Sequence, residues 1–238
     1  NTIDYDLCIL ALGVKPETDL ARKAGLETNR GIIVDEYLKT SNEFIYASGD
    51  NIEAKDFVSG QNTLLPLAGP ANRQGRIVAD NICGFNSTYK NTQGSSVVKI
   101  FDLTIASSGN SEKQLKQKEI PYWKTYVYGH SHAGYYPNSD MILYKLLFSN
   151  DGKILGIQGI GESGVEKRVD VIATIMRNNG TVQDMIDAEL CYAPPYSSAK
   201  DPVNILGMSA DNILKGLVKP AYFEDLKDAV VIDVRPNM

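Results

Sequence analysis

The segment that most constrains the fold is a pair of apolar runs separated by a tight turn. Met141–Phe148 and residues 154–160 each have the composition of a strand, and Asn150, Asp151 and Gly152 lie between them. Asp-Gly between two apolar runs is a strong hairpin signal, because both turn positions favour positive φ. The two strands are therefore predicted to pair in an antiparallel sheet.

Helices and further strands are predicted on both sides of this hairpin. The clearest helix is 165–178, where apolar residues recur at helical spacing (165, 169, 172, 173 and 176) and Gly180 ends the pattern. The other predicted elements are strands at 97–101 and 122–128, a helix at 111–118, and helices from Thr181 and from Asp201. This part of the chain is predicted to be α+β, with an antiparallel sheet and flanking helices.

The first part of the chain has shorter elements. Strands are predicted at 7–14, 31–35 and 44–47, and a brief helix at 18–24 with Gly25 as its C-cap. The stretch LPLAGPANRQGRIVADNICG predicts a longer helix, whose apolar positions Ala71, Ile77, Val78 and Ile82 suit packing on a sheet. The polar stretch YKNTQGSS, residues 89–96, lacks periodicity and is predicted to be a domain boundary.

A glycine motif at residues 159–164 has the spacing GxGxxG, follows a strand and opens a helix. That context is typical of a dinucleotide-binding loop. However, the preceding strand belongs to a tight hairpin, so the sheet is antiparallel there, and TVQDMIDAEL after the helix reads as another helix. The acids Asp184 and Asp187 then lie on the wrong element to hold a ribose. We interpret the glycines as allowing a helix to cross the sheet closely.

Composition excludes several classes of protein. The chain has 238 residues and a net charge of −5, which does not indicate a nucleic-acid-binding surface. No apolar stretch approaches the roughly 18 residues of a membrane span, and acids stand where a signal peptide would be basic. An apolar strand without a preceding unit opens the sequence and VVIDVRPNM closes it, so a piece of a longer polypeptide is expected.

The cysteines and histidines do not suggest a metal site or disulfides. Cys8, Cys83 and Cys191 are far apart and form no CxxC, which predicts a reducing, cytoplasmic environment and structural thiols. His130 and His132 are the only histidines, and no nearby cysteine or acid has ligand spacing.

Several stretches together resemble one family. ILALGVKPET, GIIVDEYLKTSNEFIYASGD and LPLAGPANRQGRIVADNI, in this order, are similar to the C-terminal half of a flavin-dependent pyridine nucleotide–disulfide oxidoreductase. GHSHAGYYP and ELCYAPPYSSAKDPVNILG narrow the resemblance to the coenzyme A-disulfide reductase and NADH oxidase branch. AVVIDVR resembles the first strand of a rhodanese-homology domain. The resemblance implies the end of an NAD(P)H-binding domain (1–14), part of an FAD-binding domain (15–88), an interface or dimerisation domain (97–217) and a truncated rhodanese start (219–238).

The resemblance also implies flavin-binding residues. Asp50, after Ser48-Gly49, matches an aspartate that accepts hydrogen bonds from the ribityl hydroxyls of FAD, while Gly49 lets the ligand approach the backbone. Leu67 and Ala68 match a helix start whose N–H groups face the flavin, and Gly13 matches a position beside NAD(P)H. Asp50 as a plain turn residue, and residues 66–69 as a plain helix start, are the alternatives.

Tyrosines are the candidate catalytic residues. In the related reductases, interface-domain tyrosines reach across a homodimer into the partner's active site, and Tyr135, Tyr136 and Tyr192 match them. A phenol there can donate a proton to, or accept one from, the sulfur chemistry. Packing is the alternative role for these tyrosines. Cys191 is not the redox cysteine that the family carries elsewhere.

The activity implied is reduction of coenzyme A disulfide or a related persulfide with NAD(P)H and FAD. The alternatives are an NADH oxidase or peroxidase fragment, or a chain that acts only as a dimerisation module. The FAD fingerprint, the redox cysteine and the NAD(P)H fingerprint of the family are absent from this sequence. The chain alone is therefore expected to retain no cofactor and to be inactive.

Overall fold

The computed structural model describes residues 5–227, 230 and 232, and the chain divides into two compact units between Thr92 and Gln93. The division falls inside the polar stretch 89–96, while the assignment of named domains to 1–14, 15–88, 97–217 and 219–238 stays a prediction. Most of the predicted rhodanese strand AVVIDVR lies outside the described residues. None of the described helices is long and apolar enough to cross a membrane.

The first unit combines a small three-stranded sheet with two helices. Its elements in chain order are α1 (Asp19–Lys23), β1 (Ile32–Ile33), β2 (Ile52–Lys55), β3 (Asn62–Thr63) and α2 (Ala68–Ile82). β2 is central, parallel to β1 and antiparallel to β3. The core of the unit is built on Leu38, Ile52 and Tyr89, against which Ile77 and Val78 of α2 pack. This confirms the predicted apolar face of α2 at those two positions, whereas Ile82 is 66% exposed.

Two of the strands predicted in this unit are wrong, and a third is shorter. Residues 7–14 form no strand, and Leu12 is 89% exposed, because no described segment pairs with them. At 44–47 only one isolated bridge joins Tyr46 to Lys39. The side-chain oxygen of Asn42 accepts the N–H of Phe44 at 3.0 Å, which turns the chain and withholds that N–H from a ladder. The strand predicted at 31–35 contracts to β1.

The second unit is a five-stranded antiparallel sheet with helices. In chain order its elements are β4 (Ser96–Ile100), β5 (Leu103–Gly109), α3 (Glu112–Gln117), β6 (Trp123–His130), β7 (Met141–Phe148), β8 (Ile154–Gly161), α4 (Val165–Arg177), α5 (Val182–Asp187) and α6 (Pro202–Leu214). The strand order is β4-β5-β8-β7-β6, with every neighbouring pair antiparallel. The predicted fold class, α+β with an antiparallel sheet and flanking helices, is confirmed.

The hairpin between β7 and β8 is confirmed, but its turn differs from the one the Asp-Gly pair suggests. Ser149 and Lys153 close the loop through a 3.0 Å bond from the Ser149 N–H to the Lys153 carbonyl. Of the turn residues only Gly152 has positive φ, at 81°. A three-residue loop that ends in a left-handed glycine is the next most common hairpin connection, so the antiparallel pairing survives the change of turn.

The glycines of residues 159–164 allow close packing of a helix on the sheet, as the sequence predicts. A Cβ added to Gly159 would lie 2.7 Å from the Tyr144 ring and 2.9 Å from Val165 at the start of α4. The strand that contains Gly159 and Gly161 pairs antiparallel on both sides, with β5 and β7, which is the wrong setting for a dinucleotide-binding loop.

A partly buried ionic cluster joins four elements of the second unit. The Glu112 carboxylate on α3 accepts hydrogen bonds from Lys124 of β6 (3.0 Å) and from Lys145 of β7. Lys124, only 6% exposed, also pairs with Glu224 in a short 3-10 helix, Phe223–Leu226, and lies 4.3 Å from the ring centroid of Tyr222. Burial opposes ionisation of Glu112, but these hydrogen bonds outweigh it and hold the pKa of Glu112 well below its usual range.

Candidate functional site

The Gly49-Asp50 turn lies against α2. The Gly49 N–H donates to the side-chain oxygen of Gln74 at 2.8 Å, and Gln74 is 3% exposed. Gly49 has φ 85°, in the left-handed region that favours glycine, so the turn needs this residue. The strand predicted before the turn is missing, but the turn itself is held by the helix.

Asp50 is exposed and available as an acceptor. Among the described residues, none donates a hydrogen bond to its carboxylate or forms an ion pair with it. A free carboxylate beside a glycine with positive φ can accept two donors from one ligand, such as neighbouring hydroxyl groups. Its predicted hydrogen bonds to the ribityl hydroxyls of FAD stay a prediction.

The start of α2 has uncapped donors. Leu67 is the N-cap, with an extended backbone and no side-chain cap, and Ala68 is the first helical residue. The first helical N–H groups have no partner inside a helix, and Pro70 has none to offer. Ala68 and Gly69 are exposed, so their N–H groups and the positive end of the helix dipole can stabilise negative charge on a ligand.

Gly13 is not brought into a site. It has φ 81°, and a Cβ added there would meet no described atom within 4 Å beyond its chain neighbours. Its predicted contact with NAD(P)H stays a prediction.

Two tyrosines that are far apart in sequence meet in the second unit. Tyr135 lies in the β6–β7 loop (131–140) and Tyr192 in the α5–α6 loop (188–201), and their hydroxyl oxygens are 3.1 Å apart. The two loops are joined through their backbones, because the Ala133 N–H donates to the Pro194 carbonyl at 3.2 Å. Both phenols remain accessible, with 77% of Tyr135 and 48% of Tyr192 exposed.

The phenol pair has a defined electrostatic state. The hydrogen bond with Tyr192 raises the pKa of Tyr135 above its ordinary value. The Tyr135 hydroxyl therefore carries its proton at neutral pH. One phenol donates to the other and the second O–H remains free, so the pair can present a donor to a ligand.

Tyr136 is part of the same loop but not of the pair. Its ring packs edge-on against His132, with centroids 5.7 Å apart. The Nε2 atom of His132 is 3.0 Å from the Pro137 carbonyl, and its Nδ1 atom is 3.1 Å from the Ser131 hydroxyl. Because a carbonyl only accepts, Nε2 carries the proton and the imidazole braces the loop.

The cysteines depart from their predicted structural role. Cys8, Cys83 and Cys191 are all free and exposed, so none of them packs in a core. Among the residues that the structure describes, no group of three or more His, Cys, Asp or Glu side chains could hold a metal ion.

The residue that sequence reasoning missed is Arg168. It is 1% exposed on α4 and bonds to Asp201 at 3.1 Å and to the Ser131 carbonyl at 2.8 Å. The sequence contains a signal for it, because Arg168 is a charged residue on the apolar face of the helix formed by residues 165, 169 and 172. A charged residue on such a face is rarely buried without a partner.

Comparison with family models assigns both parts of the chain to one family. A model described as "Pyridine nucleotide-disulphide oxidoreductase" matches residues 1–77. A second, described as "Pyridine nucleotide-disulphide oxidoreductase, dimerisation domain", matches residues 95–202.

Three relatives illustrate the similarity. An NADH oxidase of Methanocaldococcus jannaschii is 35% identical over 90% of this chain and 47% of its own length. A coenzyme A disulfide reductase of Staphylococcus epidermidis is 34% identical over 87% of this chain and 48% of its own. The crystal structure of reduced Bacillus anthracis CoADR-RHD is 54% identical, with a TM-score of 0.89 over 92% of this chain and 40% of that one. The chain thus spans about half the length of the curated relatives that it matches.

Proposed function

This chain is built from domains of the pyridine nucleotide–disulphide oxidoreductase family, and from that premise we propose that it is part of a flavoprotein disulfide reductase. The proposed reaction uses NAD(P)H and FAD to reduce coenzyme A disulfide or a related persulfide. The observation that carries the proposal is the exposed phenol pair of Tyr135 and Tyr192, at 3.1 Å. A relative named coenzyme A disulfide reductase, 34% identical over 87% of this chain and 48% of its own length, supports the substrate class.

The flavin would be held by the first unit. Asp50 would accept hydrogen bonds from the ribityl hydroxyls, Gly49 would admit the ligand to the backbone, and the first turn of α2 at Leu67 and Ala68 would face the negative charge of a reduced ring. When bound, FAD would carry electrons from NAD(P)H to the disulfide. The unpaired carboxylate of Asp50 and the uncapped helix start fit such a ligand.

The tyrosines would serve the sulfur chemistry. Reduction of a disulfide to two thiols consumes two electrons and two protons, so each departing sulfur is stabilised by a nearby donor. The pair has one O–H free for this purpose, and Tyr136 stands on the same loop. We propose that these residues act on the active site of the partner in a homodimer, as the family resemblance implies.

The open face of the second unit's sheet supports a homodimer. Directly opposed residues form one apolar row across all five strands, Tyr128–Leu143–Ile160–Ile105–Val98. Tyr128 is 67% exposed and Val98 is 50% exposed. An apolar row of this length on an exposed sheet face is typical of an interface.

We also propose a reducing, cytoplasmic environment, because the three cysteines are free. From the sequence resemblance alone, we propose that a rhodanese-homology domain begins in residues 219–238.

An NADH oxidase is the second candidate, and the similarity to the Methanocaldococcus jannaschii protein favours it. Both candidates would use the same flavin-binding residues, so an experiment must identify the electron acceptor. With full-length protein under anaerobic conditions, we expect coenzyme A disulfide to oxidise NAD(P)H and to release two thiols for each NAD(P)H consumed. NAD(P)H consumption that depends on oxygen or peroxide and ignores the disulfide would replace the reductase with the oxidase.

A further inference from the structure

The buried side chain of Arg168 connects the β6–β7 loop, which carries Tyr135, to the α5–α6 loop, which carries Tyr192. One guanidinium nitrogen, Nη2, donates to the Ser131 carbonyl at 2.8 Å, at the start of the β6–β7 loop. Nε donates to the Asp201 carboxylate at 3.1 Å, at the end of the α5–α6 loop. The third nitrogen, Nη1, donates to the Gly164 carbonyl at 3.0 Å. The same side chain therefore holds one anchor point of each loop that carries a tyrosine of the pair.

The partners of Arg168 are buried and mutually bonded. Asp201 is 3% exposed, Ser197 is 1% exposed, and the Ser197 hydroxyl donates to the Asp201 carboxylate. The other carboxylate oxygen of Asp201 accepts the Val203 N–H at 3.0 Å and caps α6. Ser197 itself belongs to the α5–α6 loop, five residues after Tyr192, so this loop is held at two points.

The surrounding backbone makes room for the guanidinium. Gly164 has φ 71°, and a Cβ there would lie 2.6 Å from Nη1 of Arg168. Gly164 is the last glycine of the 159–164 motif, which has no dinucleotide role in this fold. Packing alone does not require such a site, because well-packed apolar residues commonly replace a buried ion pair without loss of stability.

We propose that Arg168 is a positioning residue for the disulfide chemistry. It fixes the β6–β7 and α5–α6 loops relative to each other and so keeps the hydroxyls of Tyr135 and Tyr192 in contact. The inference rests on the proposed function, since the phenols must act on the substrate for their spacing to affect the rate. Arg168 touches neither phenol and acts only through the loops.

Arg168→Lys tests the proposal in the 238-residue chain. Lysine keeps the charge but lacks the planar fork, and a single ammonium cannot reproduce three directed bonds to Ser131, Gly164 and Asp201. The ionisation of Tyr135 is followed by ultraviolet absorbance as the pH is raised. Wild type and Arg168→Lys are each titrated with and without the further substitution Tyr135→Phe, and the difference between the two curves gives the Tyr135 contribution. We expect the raised pKa of Tyr135 to return toward its ordinary value in Arg168→Lys.

Lys124→Met is the matched control. Like Arg168→Lys, it changes a buried cation that has a carboxylate partner in the same unit, but Lys124 bonds to Glu112 and Glu224 and to neither of the two loops that carry Tyr135 and Tyr192. Its Tyr135 titration is expected to equal the wild-type curve. If Arg168→Lys does not fold by circular dichroism, Asp201→Asn replaces it, since asparagine retains the helix cap and removes the charge.

Kinetics in the full-length flavoprotein distinguish a role of Arg168 in positioning the phenols from a role in the stability of the fold alone. We expect Arg168→Lys to slow the disulfide half-reaction about tenfold, because a misplacement of about 1 Å can cost as much as about a hundredfold and the loops remain joined through Ala133 and Pro194. In a Tyr192→Phe background the same change should slow it less than about twofold, since the residues act as one unit. Flavin reduction by NAD(P)H should be unchanged in both backgrounds.

Each outcome decides the proposal. An equal loss of rate in the two backgrounds, or a Tyr135 titration that Lys124→Met alters as much as Arg168→Lys, would overturn it. A normal disulfide rate in Tyr192→Phe would instead contradict the proposed proton role of the tyrosines. In that case the Tyr135 titration still reports whether Arg168 sets the phenol contact.

Discussion

Tyr135 and Tyr192 are 57 positions apart in the chain, yet their hydroxyl oxygens lie 3.1 Å apart. Tyr192 is followed by Ala193-Pro194-Pro195, whose fixed φ angles stiffen the loop that carries it. The Pro194 carbonyl then binds the opposite loop. At the scale of single residues, the site is therefore a contact between two side chains whose backbones are already joined.

Replacing Tyr192 by Phe in the full-length flavoprotein should slow disulfide reduction and leave flavin reduction by NAD(P)H nearly unchanged. Phenylalanine keeps the ring and removes only the hydroxyl, so the loss of rate measures the contribution of the hydroxyl as a donor. A general acid–base contribution is about a hundredfold or more. Stopped-flow measurement of both half-reactions separates the two steps.

Tyr135→Phe and Tyr136→Phe complete this comparison. Tyr135→Phe removes the other member of the pair and should resemble Tyr192→Phe, whereas Tyr136 packs on His132 and makes no phenol contact with the pair among the described residues. If all three variants reduce the disulfide at the wild-type rate, the tyrosines have only a packing role and the oxidase becomes the better candidate.

At the scale of secondary-structure elements, the Glu112 cluster joins α3, β6, β7 and the short helix at Phe223–Leu226. The Glu112 side chain is 15% exposed and that of Lys124 is 7% exposed. Loss of Glu112 leaves Lys124 its pair with Glu224 but removes the carboxylate that pairs with Lys145, whose side chain is 18% exposed, which is more destabilising than loss of a surface pair.

Glu112→Gln should lower the free energy of unfolding at neutral pH by about 2 kcal/mol, between the values typical of exposed and of buried pairs. The pKa of Glu112 is lowered in the folded state, so its stabilising contribution is present above the unfolded pKa of about 4.3 and is lost as pH falls below it. Urea unfolding of wild type should therefore show a steep loss of stability in acid, and Glu112→Gln a shallower one.

Asp211→Asn is the control for this prediction. Asp211 pairs with Lys215 one turn later on α6, and the Lys215 side chain is 59% exposed. Loss of a surface pair of this kind costs less than about 1 kcal/mol. Equal destabilisation by the two substitutions would mean that the Glu112 cluster contributes no more than an exposed ion pair.

At the scale of the whole molecule, the 238-residue chain should bind FAD weakly or not at all. It retains Asp50 and the start of α2 at Leu67, but its single GxGxxG sequence lies in an antiparallel sheet and offers no pyrophosphate loop. Dialysis against excess FAD followed by a visible spectrum measures this. Protein with stoichiometric flavin absorbance would contradict the prediction, and loss of that absorbance in Asp50→Ala would locate the site.

The second unit should associate as a homodimer. Val98 ends the apolar row on the open face of the sheet, so Val98→Lys should weaken association in analytical ultracentrifugation at micromolar concentration. Lys99→Gln, next along β4 and therefore on its other face, should leave it unchanged. A monomeric wild-type chain, or equal effects of the two substitutions, would argue against this face as the interface.

Local signals in the sequence determined much of the second unit. Thr181 and Asp201 cap the helices predicted to start there, and Gly152 sets the hairpin between β7 and β8. The strands and helices predicted between residues 97 and 178 end within two residues of their observed bounds. Caps, turns and apolar periodicity depend on residues close in sequence, which is why they could be read directly.

The remaining features depended on the tertiary structure. Residues 7–14 have strand composition but no described partner, because apolar character alone does not supply a neighbouring strand. Asn42 redirected the backbone at Phe44. The tyrosine contact and the Arg168 bonds to Ser131 and Asp201 join residues 33 to 57 positions apart in the chain, and no local pattern encodes such contacts. The sequence determined which residues could carry chemistry, whereas the packing of two loops on one buried arginine decided which of them meet.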